Sequence, residues 1–213
     1  MILSLLIPTL ASRSASYARL RAELERQIDE AGGEVEIVAI SDNGERAIGA
    51  KRNQLLQHAS GAFVAFIDDD DDVSPVYVAL ILGALRREPH VDCVAIKVEI
   101  DFRGHHRAEA IHSVRYSDLS SRDGTYYRPP YILNPIRREI ALRYPFAEVR
   151  YAEDFDWALR MARDNALRDE ATVDVVLYHY HTRRYWAYQW LLDVTEPLRH
   201  RFGLRADRMV RHS

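Results

Sequence analysis

The sequence predicts an α/β fold, with a mostly parallel, Rossmann-like central sheet flanked by helices. Short apolar runs alternate with helix-length amphipathic segments through the first half of the chain. The first three apolar runs each end in Pro, Asp or Asn-Gly, residues that favour turns. The composition, 47% hydrophobic and 29% charged over 213 residues, is that of a globular chain with a sizeable core.

The first half supplies the alternation of strands and helices. The predicted strands cover residues 2–7, 35–40, 62–67 and 91–98. The predicted helices cover residues 17–28, 47–58 and 75–87, and the first of them begins at Ser14 or Ser16 and stops at Gly32 and Gly33. Strands joined by such helices form right-handed βαβ units, so we expect parallel pairing.

The pattern changes in the second half. Residues 101–128 are polar and weakly periodic, which is typical of a hairpin or a lid loop. Helices are predicted at residues 137–142, 153–163 and 185–192, and a last strand at residues 173–180. Phe155, Leu159 and Ala162 are expected to form the core-facing side of the second of these helices. No repeat or linker is visible, so we expect one domain over residues 1–213.

Charge and composition exclude several classes of protein. The net charge of −3 disfavours a nucleic-acid partner, and the lone Cys93 excludes a disulfide framework or a multi-thiolate zinc site. No apolar run reaches the ~18–20 residues of a membrane span. The apolar residues 1–11 contain Pro8 and lack a basic leader, so we expect a buried strand in a cytoplasmic protein.

The C-terminal segment is basic. Residues 183–213 hold seven Arg against three acidic residues. Such a segment suits peripheral contact with an anionic membrane surface, or it forms a solvated amphipathic helix.

Five consecutive aspartates, residues 68–72, directly follow the third predicted strand. In open α/β sheets, ligands bind beyond the carboxyl ends of the strands. Adjacent carboxylates repel one another unless a cation lies among them, and Mg²⁺ or Mn²⁺ prefers carboxylate oxygens together with substrate phosphates. The run therefore predicts a divalent-metal site, and a solvated acidic loop is the alternative.

Two other strand ends point to the same edge of the sheet. Thr9 follows the first strand, and Asp42 follows the second, where its carboxylate can accept hydrogen bonds from a nucleobase or ribose. Lys51 and Arg52 lie in the next helix, within reach of phosphates. The alternatives are an ordinary Asp-Asn-Gly turn and a solvated helix face.

These stretches together resemble family 2 glycosyltransferases, nucleotide-sugar-dependent enzymes of the GT-A fold. The matching segments, in order, are SLLIPT at 4–9, EIVAISDN at 36–43, AKRN at 50–53 and GAFVAFIDDDD at 61–71, followed by Pro75. A further match is Glu153-Asp154, followed by Trp157 and Arg160. The resemblance implies that residues 1–98 bind the nucleotide sugar and that residues 99–213 bind the acceptor.

The resemblance also implies roles for single residues. Asp42 is similar to the base-binding aspartate of the family, although Ser41 and Gly44 depart from its usual Asp and Ser. Asp68 and Asp70 resemble the ends of the Asp-x-Asp motif, with Asp70 the ligand of Mn²⁺ or Mg²⁺. The full nucleotide-binding set that we predict is Pro8, Thr9, Asp42, Lys51, Arg52, Asp68 and Asp69.

The second half is expected to complete the site. Asp154 resembles the catalytic base, and ordinary dipole chemistry at a helix N-terminus is its alternative. His179 and His181 are candidate ligands that complete the metal shell, or they are ordinary residues of a half-buried strand end. Glu153, Trp157 and Trp186 are expected to contact the acceptor, with core packing as the alternative for the aromatic side chains.

The sequence thus predicts an inverting, metal-dependent glycosyltransferase that uses a nucleotide-diphospho-sugar, most simply a UDP-sugar, and a glycan or lipid-linked acceptor. Two alternatives remain open. A nucleotidyltransferase on a related sheet needs a glycine-rich phosphate loop after the first strand, and residues 10–16 contain no glycine. The other alternative is a non-catalytic module that binds a nucleotide or a glycan.

Overall fold

A computed structural model describes residues 1–102 and 107–182. The strands in these residues are β1 Leu3–Leu10, β2 Val35–Asp42, β3 Phe63–Phe66, β4 Asp72–Val73, β5 Cys93–Asp101, β6 Arg107–His112, β7 Ser120–Arg122, β8 Thr125–Arg128, β9 Ile136–Arg137 and β10 Glu170–His181. The helices are α1 Ser14–Glu30, α2 Ile48–His58, α3 Tyr77–Arg87, α4 Arg138–Ala141 and α5 Glu153–Arg163. The strands form one sheet in the order β2-β1-β3-β9-β5-β6-β8-β7, and β10 pairs with β5 and β4.

The first half of the sheet follows the sequence prediction. β1 pairs in parallel with β2 on one side and with β3 on the other. Every residue of β1 except the last is buried, as expected of a central strand that is covered on both faces. Helix α1 ends at Glu30, and the chain leaves it through Gly32 and Gly33, whose φ angles of 86° and 79° are accessible to glycine at little cost.

The sheet is mixed rather than simply doubly wound. The two-residue strand β9 lies between β3 and β5 and is antiparallel to both. Ile136 of β9 is fully buried and pairs with Val64 on one side and with Cys93 on the other. A segment from the second half of the chain thus completes the central sheet, although two residues are too few to show a strand periodicity.

Residues 107–128 form sheet structure, as in the hairpin interpretation of this region. β6 runs antiparallel to β5, and β7 and β8 form a tight hairpin. Asp123 and Gly124, both at positive φ, make the turn between β7 and β8. β8 leads into residues 128–131, which contact the start of α5 through Tyr131 and Asp154.

Two further observations bear on the sequence predictions. No helix in residues 1–102 and 107–182 is long and apolar enough to cross a membrane. The predicted helix at residues 185–192, Trp186 and the basic C-terminal segment all lie outside the described residues.

Candidate active site

The parallel pairing of β1, β2 and β3 brings their carboxyl ends to one edge of the sheet. Thr9 pairs with Ser41 across β1 and β2, and the acidic run leaves β3 beside them. The sequence prediction that Thr9, Asp42 and the aspartates meet at one edge is confirmed. We call this edge, with the two helices α1 and α2 behind it, the donor edge.

Lys51 does not point outward from the donor edge. Its side chain is buried, and its Nζ donates to Asp42 Oδ1 at 2.7 Å and to the Thr9 carbonyl at 2.8 Å. Burial alone would raise the pKa of Asp42, but the Lys51 ammonium and the Gly44 amide outweigh it and lower that pKa. Lys51 therefore fixes and ionises Asp42, which corrects the prediction that it reaches phosphate directly.

The five aspartates divide into inward and outward side chains. Asp69 is buried and accepts from Thr9 Oγ1 at 2.5 Å and from Arg13 Nη1 at 2.8 Å. Asp71 is also buried and accepts from the Tyr178 hydroxyl and the His181 amide, both at 2.8 Å. These two carboxylates tie the turn to its neighbours, so the prediction that Asp69 contacts the nucleotide is corrected to a structural role.

Asp70 and Asp72 point outward, with side chains about half exposed. Asp70 lies 3.0 Å from Arg13, and Asp72 accepts from His181 Nε2 at 2.8 Å. His179 is turned toward Glu99 instead, with its Nδ1 3.1 Å from Glu99 Oε1. Within the described residues no three His, Cys, Asp or Glu side chains converge as a ready-made metal cage. Of the predicted ligands, Asp70 therefore lies beside Arg13, His181 lies beside Asp72, and His179 is directed toward Glu99.

Helix α2 is held against the segment that precedes α5. Asn53 donates to the Phe146 carbonyl at 2.9 Å and accepts from the Phe146 amide at 2.7 Å. A Cβ on Gly49 would lie only 1.8 Å from the Ala147 carbonyl oxygen, so this close approach requires glycine. The contact brings the buried face of α2 next to the start of α5.

Arg52 lies in that contact and joins the two halves of the chain. Its guanidinium is 3.3 Å from Asp68 Oδ1 and 3.3 Å from Glu153 Oε1. The Phe66 and Phe146 rings flank it, and the side chain is 4% exposed overall. Arg52 is thus a buried counterion shared by carboxylates of both halves.

The carboxylates around Arg52 outnumber the cations. Burial raises the pKa of Asp68, and the charge of Asp154 adds to this effect against the opposing charge of Arg52. Burial, together with Asp154, likewise raises the pKa of Glu153 to about 7. This excess of negative charge, with the oxygen donors of Asp68 and Asp70 next to it, fits a hard divalent cation that brings its own phosphate ligands.

Asp154 lies half-buried at the first turn of α5. Its Oδ1 accepts from the Phe155 amide at 2.7 Å, and its Oδ2 accepts from the Tyr131 hydroxyl. Glu153, in contrast, is buried against Arg52, which corrects the prediction that it contacts the acceptor. Only the second member of the predicted acidic pair faces the open side of the site.

Tyr131 and Arg128 are site residues that the sequence analysis missed. The Arg128 guanidinium lies over the Tyr131 ring, 3.6 Å from its centroid. Asn134 Oδ1 accepts from the Tyr131 amide at 2.8 Å and lies 3.1 Å from His112 Nδ1. The segment RPPY at 128–131 is rigid and aromatic, which is the one sequence signal that could have singled it out.

Trp157 belongs to the core. It is 1% exposed, stacks on Phe146 with ring centroids 4.8 Å apart, and donates from Nε1 to the Tyr144 carbonyl at 2.6 Å. The prediction that it contacts the acceptor is therefore wrong. The buried side of α5 is not the one expected either, and its members are Glu153, Trp157, Ala158 and Met161.

Comparisons with known proteins agree with this geometry. The model of the protein family described as glycosyl transferase family 2 matches residues 14–149. A comparison with curated protein sequences finds no match.

Several solved structures share the fold. Glucosyl-3-phosphoglycerate synthase from Mycobacterium tuberculosis, in complex with Mn²⁺, UDP-glucose and phosphoglyceric acid, is 17% identical with a TM-score of 0.60, over 97% of this chain and 81% of that one. S. aureus TarS 1–349 with UDP-GlcNAc is 15% identical with a TM-score of 0.54, over 86% of this chain. The chain matches only 59% of the length of that TarS structure.

A third similar structure comes from an animal. The catalytic domain of Drosophila β1,4-galactosyltransferase 7, in complex with xylobiose, is 14% identical with a TM-score of 0.52, over 87% of this chain and 73% of that one. At these identities the similarity shows a common fold, and the predicted fold class is confirmed.

Proposed function

The chain belongs to glycosyl transferase family 2, and from this premise we propose that it transfers a sugar from a UDP-sugar to a hydroxyl group of an acceptor, with inversion at the anomeric carbon. The observation that carries the proposal is the position of Arg52. It pairs with Asp68 at the donor edge and with Glu153 at the start of α5. This pairing supports a single site that includes both the donor edge and Asp154, the neighbour of Glu153.

Asp42 supports a choice among nucleotides. Its Oδ1 is occupied by Lys51 and Gly44, whereas its Oδ2 is buried without a hydrogen-bond partner. Such an acceptor is costly unless a donor from the ligand reaches it. Uracil presents its imide N3–H for this purpose, whereas the N3 atom of cytosine is an acceptor and only the exocyclic amino group of that base can donate, so we propose UDP rather than CDP.

Asp70 and His181 are the residues that we propose to hold Mn²⁺ or Mg²⁺ at the outward face of the acidic turn. When bound there, the ion neutralises the charge that develops on the diphosphate leaving group. Arg13, whose Nη1 lies 3.0 Å from Asp70 Oδ2, pairs with Asp70 in this structure, so an ion would compete with it for that carboxylate.

The transfer is a single displacement. The acceptor oxygen forms a bond to the anomeric carbon while the bond from that carbon to the phosphate oxygen breaks, and UDP leaves with the bonding electron pair. The hydroxyl proton moves to the Asp154 carboxylate, which acts as general base. Tyr131 and the Phe155 amide hold one lone pair on each Asp154 oxygen and so fix the orientation of the carboxylate.

The first test is a thermal-shift panel of UDP, GDP, CDP, dTDP and ADP, each with and without Mn²⁺. A ligand at about 100 times its dissociation constant stabilises the folded chain by ~2.7 kcal/mol, which corresponds to several degrees in melting temperature. We expect the largest, metal-dependent shift with UDP. A shift with CDP alone would contradict the role given to Asp42.

The second test separates catalysis from binding. Asp154→Asn should retain UDP binding and lose at least about a hundredfold in transfer or donor hydrolysis, because the base is removed. Asp156→Asn, the same change two positions along α5 at a surface pair with Arg160, is the matched control and should remain active. Equal activity of Asp154→Asn and wild type would overturn the assignment of the base.

A further inference from the structure

Three cationic side chains are buried in the part of the chain that the structure describes, namely Lys51, Arg52 and Arg128. Lys51 pairs with Asp42, and Arg52 pairs with Asp68 and Glu153. Arg128 differs from both. At 8% exposure it has no carboxylate within salt-bridge distance among residues 1–102 and 107–182. Its Nε is buried without a hydrogen-bond partner, as are Nε and Nη1 of Arg52, so the missing carboxylate is what distinguishes Arg128.

A second stacked arginine shows what a structural role looks like in this fold. Arg137 lies over the Phe63 ring, 4.8 Å from its centroid, much as Arg128 lies over Tyr131. However, Arg137 donates to the carbonyls of Pro89 and Val91 at 2.6–3.1 Å. Stacking on an aromatic ring therefore does not prevent a guanidinium from donating hydrogen bonds to carbonyl oxygens. Arg128 makes no such hydrogen bonds to the described residues.

A buried guanidinium without a counterion is expensive, because its desolvation is not offset by an opposite charge. The planar fork of arginine matches the two oxygens of a carboxylate or phosphate. Arg128 also adjoins the reaction centre, since its stacking partner Tyr131 donates to Asp154. An anion bound at Arg128 would lie on the acceptor side of the base.

We infer that Arg128 is the anion-binding residue of the acceptor site, and that the acceptor carries a phosphate or carboxylate group near the hydroxyl that receives the sugar. This inference rests on the proposed function, because it places an acceptor next to Asp154. It narrows the acceptor class to small or polymeric hydroxyl compounds with an oxyanion close to the reacting hydroxyl.

The experiment measures acceptor binding to the full chain that is first saturated with UDP and Mg²⁺, so that the diphosphate position is already filled. The probes are glycerol 3-phosphate, glycerate and glycerol, which share their hydroxyl groups and differ in the anion. Titration calorimetry should detect binding of at least one anionic probe and much weaker binding of glycerol. The comparison of phosphate with carboxylate identifies which oxyanion the site takes.

Three variants decide the role of the residue. Arg128→Gln should weaken binding of the anionic probe by about tenfold to a hundredfold, as expected for loss of a charged hydrogen-bonding pair. Arg128→Lys keeps the positive charge but not the two parallel N–H donors, so its affinity for the anionic probe should lie between those of Arg128→Gln and wild type. It replaces Arg128→Gln as the test variant if Arg128→Gln does not fold. Arg137→Gln is the matched stacked-arginine control and should leave the affinity for the probe unchanged.

Several results would overturn the inference. These are equal anion binding by Arg128→Gln and wild type, equal affinity for glycerol and the anionic probes, or no anion binding by a wild-type chain that binds UDP. In the last case the proposed function stands and the acceptor assignment alone fails. Absence of UDP binding, measured in the first titration, is the separate result that counts against the proposed function.

Discussion

The donor edge differs in the compensation of its buried charges from the group formed by Arg128, Tyr131, Glu153 and Asp154, which we call the acceptor side. At the donor edge, Lys51 is paired with Asp42, and Asp69 is paired with Arg13, at 2.7 and 2.8 Å. On the acceptor side, Glu153 shares one guanidinium with Asp68, and Arg128 has no carboxylate partner among the described residues. The charges at the donor edge are thus paired within the protein, whereas the acceptor side holds a buried cation that has no carboxylate partner among the described residues.

Arg52 links the two regions, so its loss should have the largest effect. Arg52→Ala leaves the Asp68 and Glu153 carboxylates without their shared counterion, and breaking a buried pair in this way costs about 3–5 kcal/mol. Chemical denaturation measures this loss, and transfer activity should fall with it. Arg46→Ala, an exposed arginine just before α2, is the control and should change stability by less than about 0.5 kcal/mol. A small effect of Arg52→Ala would mean that the regions are not coupled.

Lys51→Met tests whether the donor edge is organised in advance. The methionine keeps the apolar stem but leaves Asp42 buried without its cation, so we expect about 3 kcal/mol of destabilisation. UDP binding should weaken as well, because Asp42 loses both its ionisation and its fixed position. The double variant with Asp42→Asn should recover part of the stability, and a strictly additive result would contradict the pairing.

Glu153→Gln tests the raised pKa of Glu153 through the pH dependence of stability. Because the folded pKa of about 7 lies above the ordinary value of 4.5, wild-type stability from this group is present below pH 4.5 and is lost as the pH rises toward 7. Glu153→Gln removes this dependence. Its stability relative to wild type should therefore rise by about 3 kcal/mol between pH 4.5 and 7.5, measured by urea denaturation across that range. A constant difference between the two proteins would contradict the raised pKa.

Tyr131→Phe should have the smallest effect of these variants. It tests how much the hydroxyl of Tyr131 contributes to the action of Asp154. The variant keeps the ring under Arg128 and removes only the hydroxyl that donates to Asp154. We expect about a tenfold loss in kcat with little change in UDP affinity, as for the loss of one hydrogen bond worth ~1.4 kcal/mol. A loss of stability with unchanged kcat would assign Tyr131 to packing alone.

The sequence predicted the donor edge better than the acceptor side, and the reason is physical. β1, β2 and β3 are separated by single helices, so local periodicity and the rule for parallel strands suffice to bring Thr9 and Asp42 together. The inward and outward members of the acidic turn could not be separated, because five identical side chains differ only in the backbone direction at each position. Asp69 and Asp70 illustrate this, since one is buried and the other is exposed.

The acceptor side depends on contacts between residues far apart in sequence. Arg52 and Glu153 are about a hundred positions apart, and no local pattern announces their pairing. The burial of Trp157 is consistent with local spacing, because Trp157 and Met161 are both apolar and lie one helical turn apart, as in the buried stripe of an amphipathic helix. Phe155 and Leu159 have the same spacing and predict a different buried side of α5. Only tertiary packing decides which of the two sides is buried.

The position of β9 limits how this chain can be divided into fragments or combined with segments of other proteins. Ile136 is paired with Val64 on one side and with Cys93 on the other, so the two halves interlock within one sheet rather than meeting across a surface. A fragment that ends before residue 136 would leave the edges of β3 and β5 unpaired and prone to association with other chains. Replacement of the whole second half would therefore also remove a strand that pairs with β3 and β5 of the first half. Such engineering is better confined to the side chains around Tyr131 and α5.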